Sequence, residues 1–257
     1  MKYKIDKSDI RNSLSSNIDT LDDYLLDISY RYPNHTFLSG ATQGIYIRLV
    51  KTLKFIALSS NINPSDLKVL DWGSGKGHIS YLLQKEGFNV TSCDLVTDSD
   101  DSSFGQDTPI INENNIDIIP LEHEFLLPFD DLTFDLVVSF GVLEHVSKDQ
   151  ESLLEVNRVL KKEGMFFFNF LPYWLSWTQN IAHMRGDWYH ERLYKKSQVH
   201  KMSKNANFDV AFLDHCQLFP KNKFAHSNKL EKFDRILTQF TPLKYLATNL
   251  EGILIAK

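Results

Sequence analysis

Three glycines at alternate positions, Gly73, Gly75 and Gly77, follow an apolar run that ends on Asp71, and a helix-patterned stretch begins at His78. Such a loop can approach a ligand closely, because glycine takes positive φ and places no Cβ between backbone and ligand. The helix start aims free N–H groups and a positive dipole end at an anion. The spacing excludes two common phosphate binders. A dinucleotide fingerprint needs its third glycine where His78 stands, and a phosphate-cradling loop needs Ser or Thr where Gly77 follows Lys76. A second apolar run, Phe88 to Leu95, carries Asp94 about twenty residues after the loop, where a carboxylate can accept from both hydroxyls of a ribose. Two histidines offer different chemistry. An imidazole with an ordinary pKa of about 6.5 accepts a proton near neutrality, and His145 and His190 are the candidates. Each also has a plain structural reading, His145 as a ring bonded to loop carbonyls and His190 as a solvated ring.

The elements that must position these groups read as strand, loop, helix repeated. Lys68–Asp71, Phe88–Leu95, Ile116–Leu121, Phe134–Phe140 and Met165–Leu171 are strand-like, and the alternation with helical stretches is that of a parallel sheet. Phe134–Phe140 is nearly continuous in apolar character, as a central parallel strand should be. Ser147-Lys148-Asp149-Gln150 predicts a capping box for the next helix, and Lys161-Lys162-Glu163-Gly164 its end. A helix is predicted over Lys196–Asn205, then a strand from Phe208 and a last strand over Leu250–Ala256. Leu230, Phe233, Leu237 and Phe240 form an apolar stripe expected to pack on the sheet, with a membrane-surface helix as the alternative. Upstream, residues 1–18 are expected to be loose, with helices from Asp19 to Ile28 and Gln43 to Ser59. A turn is expected around Tyr32-Pro33-Asn34-His35. The acidic, turn-rich stretch Asp98–Pro109 reads as a solvated loop that leaves a short helix or none before Ile116.

Composition narrows the partners. A chain of 257 residues with a formal charge of −5 and a pI near 6.0 lacks the basic footprint of a general nucleic-acid binder. Cys93 and Cys216 make no metal spacing and no disulfide framework, the N-terminus shows no apolar leader, and no run approaches a bilayer span. A cytoplasmic setting without stable membrane insertion is expected, and the oligomeric state is left open.

Asp71-x-Gly73-x-Gly75-x-Gly77, Asp94 at the second strand's end, and the stretch Leu127–Val146 together resemble the class I S-adenosylmethionine-dependent methyltransferases. The small-molecule type is the nearest in kind, similar to the O-methyltransferases of ubiquinone biosynthesis. The resemblance covers Val69 to about Pro172 and extends loosely to Lys257. It implies an α/β fold with a Rossmann-like doubly wound seven-stranded sheet, mostly parallel with an antiparallel last strand. It also implies an N-terminal helical lid over residues 1–63, although helices covering a sheet edge would read the same. The methyltransferase domain would then span 64–257, with an insert after strand five at about 172–195.

On this resemblance, S-adenosylmethionine binds and S-adenosylhomocysteine leaves. Gly73, Ser74, Gly75 and Gly77 admit the methionine end, Asp71 shapes the loop near the ammonium, and Asp94 with Leu95 meets the ribose. Glu124 and Phe125 lie near the adenine, and Ser139, Phe140 and Gly141 line the other side. The insert, with Tyr173, Trp177, His183, Arg185, Trp188, Tyr189, Arg192 and Tyr194, reads as the acceptor pocket for a small-molecule or glycan or lipid-linked acceptor. Its aromatics would otherwise be a satellite core. Quinone-pathway relatives can bind a divalent metal beside the histidine that follows strand four. Glu144-His145 matches the end of that pattern, but Gly141 replaces a further acid, so no metal is expected. Methylation of a hydroxyl ranks first. An amine acceptor, or cofactor binding without turnover, are the alternatives.

Overall fold

The computed structural model describes residues 2–16, 21–32, 40–95, 108–187, 190, 192–219 and 228–257. The expected turn at Tyr32–His35 lies outside them apart from Tyr32, and the acidic loop from Asp98 lies outside them as far as Asp107. Seven strands form one mixed sheet in the order β3-β2-β1-β4-β5-β7-β6, the α/β architecture expected from the alternation of elements. The chain divides into two compact units, Tyr3–Glu122 with Lys221–Lys232, and Met1–Lys2 with His123–Pro220 and Phe233–Lys257.

In the first unit, β1 (Lys68–Trp72) pairs in parallel with β2 (Asn89–Leu95), and β2 with β3 (Ile118–Leu121). Among the described residues three α-helices precede them. Residues 1–18 are not loose throughout, because α1 (Lys7–Leu14) is capped by the Asp6 carboxylate and buries Ile10 and Leu14 completely. Only two apolar residues face inward, too few for a pattern search, yet they suffice to seat the helix beside α3 (Gly40–Ser59). The helix α2 (Asp23–Arg31) starts later than expected, where the buried Asp22 carboxylate caps it and pairs with Lys85 of α4 (His78–Lys85). A short α5 (Pro109–Glu113) is the helix remnant anticipated before the third strand.

In the second unit, β4 (Phe134–Phe140) runs parallel to β5 (Leu160–Pro172), while β7 (Asn249–Ala256) is antiparallel to both β5 and β6 (Phe208–Cys216). Gly252 of β7 makes room for a core ring, since a Cβ there would lie 2.5 Å from Phe168 Cζ. The helix α6 (Asp149–Val159) corrects two expectations. Lys148 sits at its N-cap without a side-chain cap, and the helix stops at Val159, so Leu160 to Gly164 belong to β5. Helical periodicity ran past the true end because Leu160 is buried in a strand as readily as in a helix. The segment after β5 forms α7 (Trp177–Met184), followed by α8 (Lys196–Asn205) with the predicted bounds.

The last helix, α9 (Asn228–Phe240), also departs from expectation. Its stripe packs inward only in part: Leu230 and Leu237 are half-buried, Phe233 and Phe240 are 51% and 76% exposed, and Asp234, Arg235 and Thr238 are buried. The reason lies on β7. Glu251 is a buried carboxylate that accepts from Arg235 Nη1 and from Asn169 Nδ2, so the helix turns its polar face to satisfy it.

Candidate functional site

The glycine loop is formed entirely within the first unit. Gly73, Gly75 and Gly77 all have positive φ, at 76°, 52° and 79°, which accounts for glycine at every second position. Gly73 and Ser74 donate their N–H groups to Cys93 O, and Gly77 N–H bonds back to Ser74 O. Gly77 is the left-handed N-cap of α4 and offers no side-chain cap to the first turn. A Cβ there would lie 2.8 Å from Ile111 Cγ1. At the end of β2 the Asp94 carboxylate accepts from Gly75 N–H on one oxygen and Leu95 N–H on the other. Asp94 thus fixes the loop, and its remaining lone pairs suit a diol. Burial raises its proton affinity, and the two N–H bonds partly offset this.

Asp71 lies beneath the loop, buried, with Ser80 Oγ donating to it at 2.6 Å. Burial, partly offset by that bond and reinforced by the charge of Asp94, pushes its carboxyl up to about 7. Near neutrality it is therefore a partly protonated carboxyl, the local chemistry that a ligand ammonium would suit. Ser74 is buried at the same loop. The loop and Asp94 together fit a nucleoside carrying a short charged chain.

The second unit carries a separate cluster after β4. Ser139 is buried, the Phe140 ring meets Phe167 edge-on, and Gly141 takes φ of 82° with its N–H on Asn169 O. The chain then turns so that Glu144 is buried while His145 is part exposed, with Nε2 3.9 Å from Glu144 Oε1. The ring of His190, far away in sequence, stands 5.3 Å from the His145 ring. One ligand-type atom from each of Glu144, His145 and His190 lies within 4.8 Å of the others. Burial and then the Arg192 charge depress the proton affinity of His145, which leaves it neutral at pH 7. Glu124 accepts from Ser147 N–H at 2.7 Å, and Phe125 lies under the Lys148 ammonium, so both brace the same loop.

His190 reaches His145 because the insert is closed on itself and tied down. Tyr173 and Tyr194 form a bridge, with Tyr194 N–H on Pro172 O and Trp174 N–H on Tyr194 O. Tyr194 is buried, and its hydroxyl donates to Asp149 Oδ2 at 3.0 Å. Arg192 donates to Val146 O and pairs with the same Asp149 oxygen at 3.5 Å. His183 Nε2 bonds His190 O at 2.9 Å, and Trp177 Nε1 donates to Leu218 O. Tyr173 is buried edge-on to His215, and Arg185 is exposed at the end of α7. Trp188 and Tyr189 lie outside the described residues. Much of the insert's polar chemistry is thus engaged in holding its own shape.

Two participants had no signal of their own in the sequence. Asp149 lies on a helix start and reads as a dipole partner, and its role depends on two residues more than forty positions away. Phe170 adopts a left-handed φ of 68° at a β5 register shift, a conformation an aromatic residue holds only when its surroundings enforce it. Its N–H is held by Asn169 Oδ1.

With this geometry in hand, comparison with known proteins is direct. Residues 70–168 match the family described as a methyltransferase domain. A ubiquinone biosynthesis O-methyltransferase of Rickettsia bellii is 28% identical over 160 residues, covering 57% of this chain and 63% of the relative. This match therefore spans less than two thirds of that relative's length. The corresponding enzyme of Rickettsia akari is 25% identical over 200 residues, with 72% and 76% covered. Among solved structures, a Thermotoga maritima S-adenosylmethionine-dependent methyltransferase, described as a possible histamine N-methyltransferase, aligns with a TM-score of 0.59 at 11% identity, covering 91% of this chain and 99% of that one. A Burkholderia thailandensis 1,6-didemethyltoxoflavin-N1-methyltransferase, with its substrate and S-adenosylhomocysteine bound, aligns at 0.54 and 15% identity, covering 99% and 92%. Residues 70–168 are thus a methyltransferase domain, and the fold and the glycine loop are similar to those of the class I S-adenosylmethionine-dependent methyltransferases. Among the described residues no helix is long and apolar enough to cross a membrane.

Proposed function

We propose that this chain transfers a methyl group from S-adenosylmethionine to a hydroxyl oxygen of a small-molecule, glycan or lipid-linked acceptor, with the His145–His190 pair receiving the hydroxyl proton. The observation that carries this reading is the pairing of two imidazoles, with ring centres 5.3 Å apart, beside the buried Glu144 after β4. The names of the curated relatives agree with an oxygen acceptor. When bound, the cofactor supplies a methyl group activated by a positive sulfur, so the protein contributes alignment, exclusion of water and movement of a proton. Gly73, Gly75 and Gly77 would admit the methionine end, Asp94 would accept from the ribose hydroxyls, and Asp71 would face the ammonium directly or through water. His145, held neutral by burial and by Arg192, has a lone pair to accept the proton. Glu144 stabilises the imidazolium that results, and His190 is the second acceptor or a relay. The balance is complete: the oxygen–carbon bond forms, the carbon–sulfur bond breaks, the proton goes to imidazole, and S-adenosylhomocysteine departs.

The same trio could instead hold a divalent cation, but the Arg192 guanidinium adds its positive charge to burial in lowering the proton affinity of His145. It would oppose a cation in the same way. Chelator should therefore leave turnover unchanged. The test of the whole reading has two stages. Calorimetry should first register S-adenosylhomocysteine binding, and its absence would sink the cofactor assignment. Turnover on a panel of catechols and phenols should then fall about a hundredfold or more in His145→Ala or His190→Ala, the scale of general-base catalysis. If both variants keep full activity on an accepted phenol, proton transfer by this pair is wrong, and an amine acceptor becomes the better reading.

A further inference from the structure

Strand β5 breaks its register where it passes between β4 and β7. Phe168 pairs with Gly252 and Leu171 with Leu250, so Asn169 and Phe170 together stand opposite the single residue Glu251. This is a β-bulge, which adds one residue to a strand and re-aims the chain beyond it. Phe170 accommodates the extra residue at a φ of 68°, in the left-handed region that an aromatic side chain holds only under constraint.

The constraint converges on one side chain. Asn169 is 2% exposed, and both ends of its amide are engaged. Its Oδ1 accepts from Phe170 N–H at 2.6 Å and from Cys216 Sγ at 3.7 Å, while Nδ2 donates to Glu251 Oε2 at 2.7 Å. The other oxygen of Glu251 accepts from Arg235 Nη1 of α9. Arg235, Glu251 and Asn169 are all buried, so losing any link leaves a charge or an amide unpaired away from water. An apolar residue of the same size would fill this position without holding it. Only an amide offers an acceptor to the Phe170 N–H and a donor to the carboxylate at once.

The bulge lies between the two arms that carry the imidazoles. On one side the Asn169 carbonyl accepts from Gly141 N–H at 3.2 Å, where β4 gives way to the turn holding Glu144 and His145. Gly141 has a φ of 82° there, and an added Cβ would lie 3.8 Å from Glu144 Oε1, so this turn folds back onto its own start. On the other side the chain leaves the bulge through Leu171 to Pro172, whose carbonyl accepts from Tyr194 N–H. The Tyr173–Tyr194 bridge then closes the insert that brings His190 to His145.

We propose that Asn169 is a positioning residue for proton transfer: by pinning the bulge between Phe170 and Glu251, it sets where the His145 turn stands relative to the His190 insert. This rests on the reading of the two histidines as proton acceptors, and Asn169 acts through the backbone rather than on the methyl acceptor.

Substitution and exchange test it in the full chain. Asn169→Ala removes both side-chain bonds, and Asn169→Asp sets a second carboxylate against Glu251. In each, turnover per folded molecule on an accepted phenol should fall by at least about tenfold, as expected when a reacting group is misplaced. S-adenosylhomocysteine affinity should hold, because the glycine loop and Asp94 are fixed by their own bonds. Combining Asn169→Asp with Glu251→Gln exchanges the two groups. The new amide can donate to the new carboxylate, which still accepts from Phe170 N–H, and the amide oxygen still accepts from Arg235. This double variant should recover most of the lost turnover.

A histidine-ring NMR titration reads the same placement without turnover. Burial and the Arg192 charge hold the proton affinity of His145 down, with Glu144 and His190 the other titratable groups beside it. A turn released from the bulge loses part of both effects, so His145 should titrate at higher pH in Asn169→Ala and return to the wild-type position in the exchange variant. If His145→Ala and His190→Ala leave catalysis intact, the proton-transfer reading fails while this titration still reports whether Asn169 places the turn. The proposal is overturned if Asn169→Ala lowers only the melting temperature, with turnover per folded molecule and the His145 titration unchanged. It is also overturned if the exchange variant is no more active than Asn169→Asp alone, the comparison that decides should Asn169→Ala fail to fold.

Discussion

The glycine loop and the insert do opposite things with their residues. In Asp71–Gly77 the backbone sets the shape: three positive φ angles let the glycine N–H groups bond Cys93 O, the Asp94 carboxylate and Ser74 O, and the side chains that matter are short, with Asp71 buried and Asp94 half-buried. In Pro172–Tyr194 the side chains are long and polar, and most of those described hold the segment down. Arg192 and Tyr194 converge on Asp149, His183 holds the His190 carbonyl, and Trp177 holds Leu218. The lesson is that residue density alone does not locate a pocket. An insert crowded with Trp, Tyr, His and Arg presents fewer groups to a ligand than its sequence suggests, and the group it does present, His190, stands where its neighbours place it.

Breaking the backbone side of this contrast should have the largest effect. Gly75→Val forces a β-branched residue to a φ of 52° with only the Asp94 carboxylate nearby, at 3.9 Å from an added Cβ. The loop must therefore move while the distant core stays. S-adenosylhomocysteine affinity should fall by about a hundredfold with a far-UV spectrum like the wild type's. Unchanged calorimetric affinity would show that the loop is not the cofactor seat.

Asp94→Ala should follow closely, losing at least about tenfold in affinity, since hydrogen bonds to a charged group contribute roughly 1.5–3 kcal/mol each. Asp94→Asn should lose less, because its amide oxygen can still accept from one of the two loop N–H groups. Equal losses in the two variants would separate Asp94 from loop positioning.

On the side-chain half, Asp149→Ala should remove the acceptor that Arg192 and Tyr194 share. Cofactor affinity should hold while turnover drops by roughly tenfold and protease cuts within 172–194 faster, as expected when a buried polar network loses its shared acceptor. If turnover and proteolysis both match the wild type, His190 is placed by something other than this clamp.

The smallest effect concerns Asp71. Its folded pKa of about 7 lies above the ordinary value of 3.8, so its contribution to stability is fully present below pH 4 and is lost as pH rises through 7. Asp71→Asn should therefore melt close to the wild type at pH 4 and above it at pH 8, with the gap opening between. Cofactor binding to the wild type should tighten over the same range if the ammonium favours the carboxylate. Parallel melting curves from pH 4 to pH 8 would remove the buried-carboxyl account.

What the sequence determined by itself is local. Strand, glycine loop, helix and the acid ending the next strand depend on neighbouring residues and on a backbone geometry that only glycine adopts freely, so their order and spacing reveal the family. The bounds of α8 follow in the same way. Tertiary structure decided whatever depends on pairing across the chain. His190 meets His145 only because Tyr173 and Tyr194 close the insert and Asp149 anchors it, and no spacing encodes a contact between positions 145 and 190. The helix α9 turns its polar face inward because a carboxylate on β7, at Glu251, must be satisfied once buried. A periodicity argument assumes that apolar residues face the core. It fails where a buried charge on a neighbouring strand makes the stronger demand.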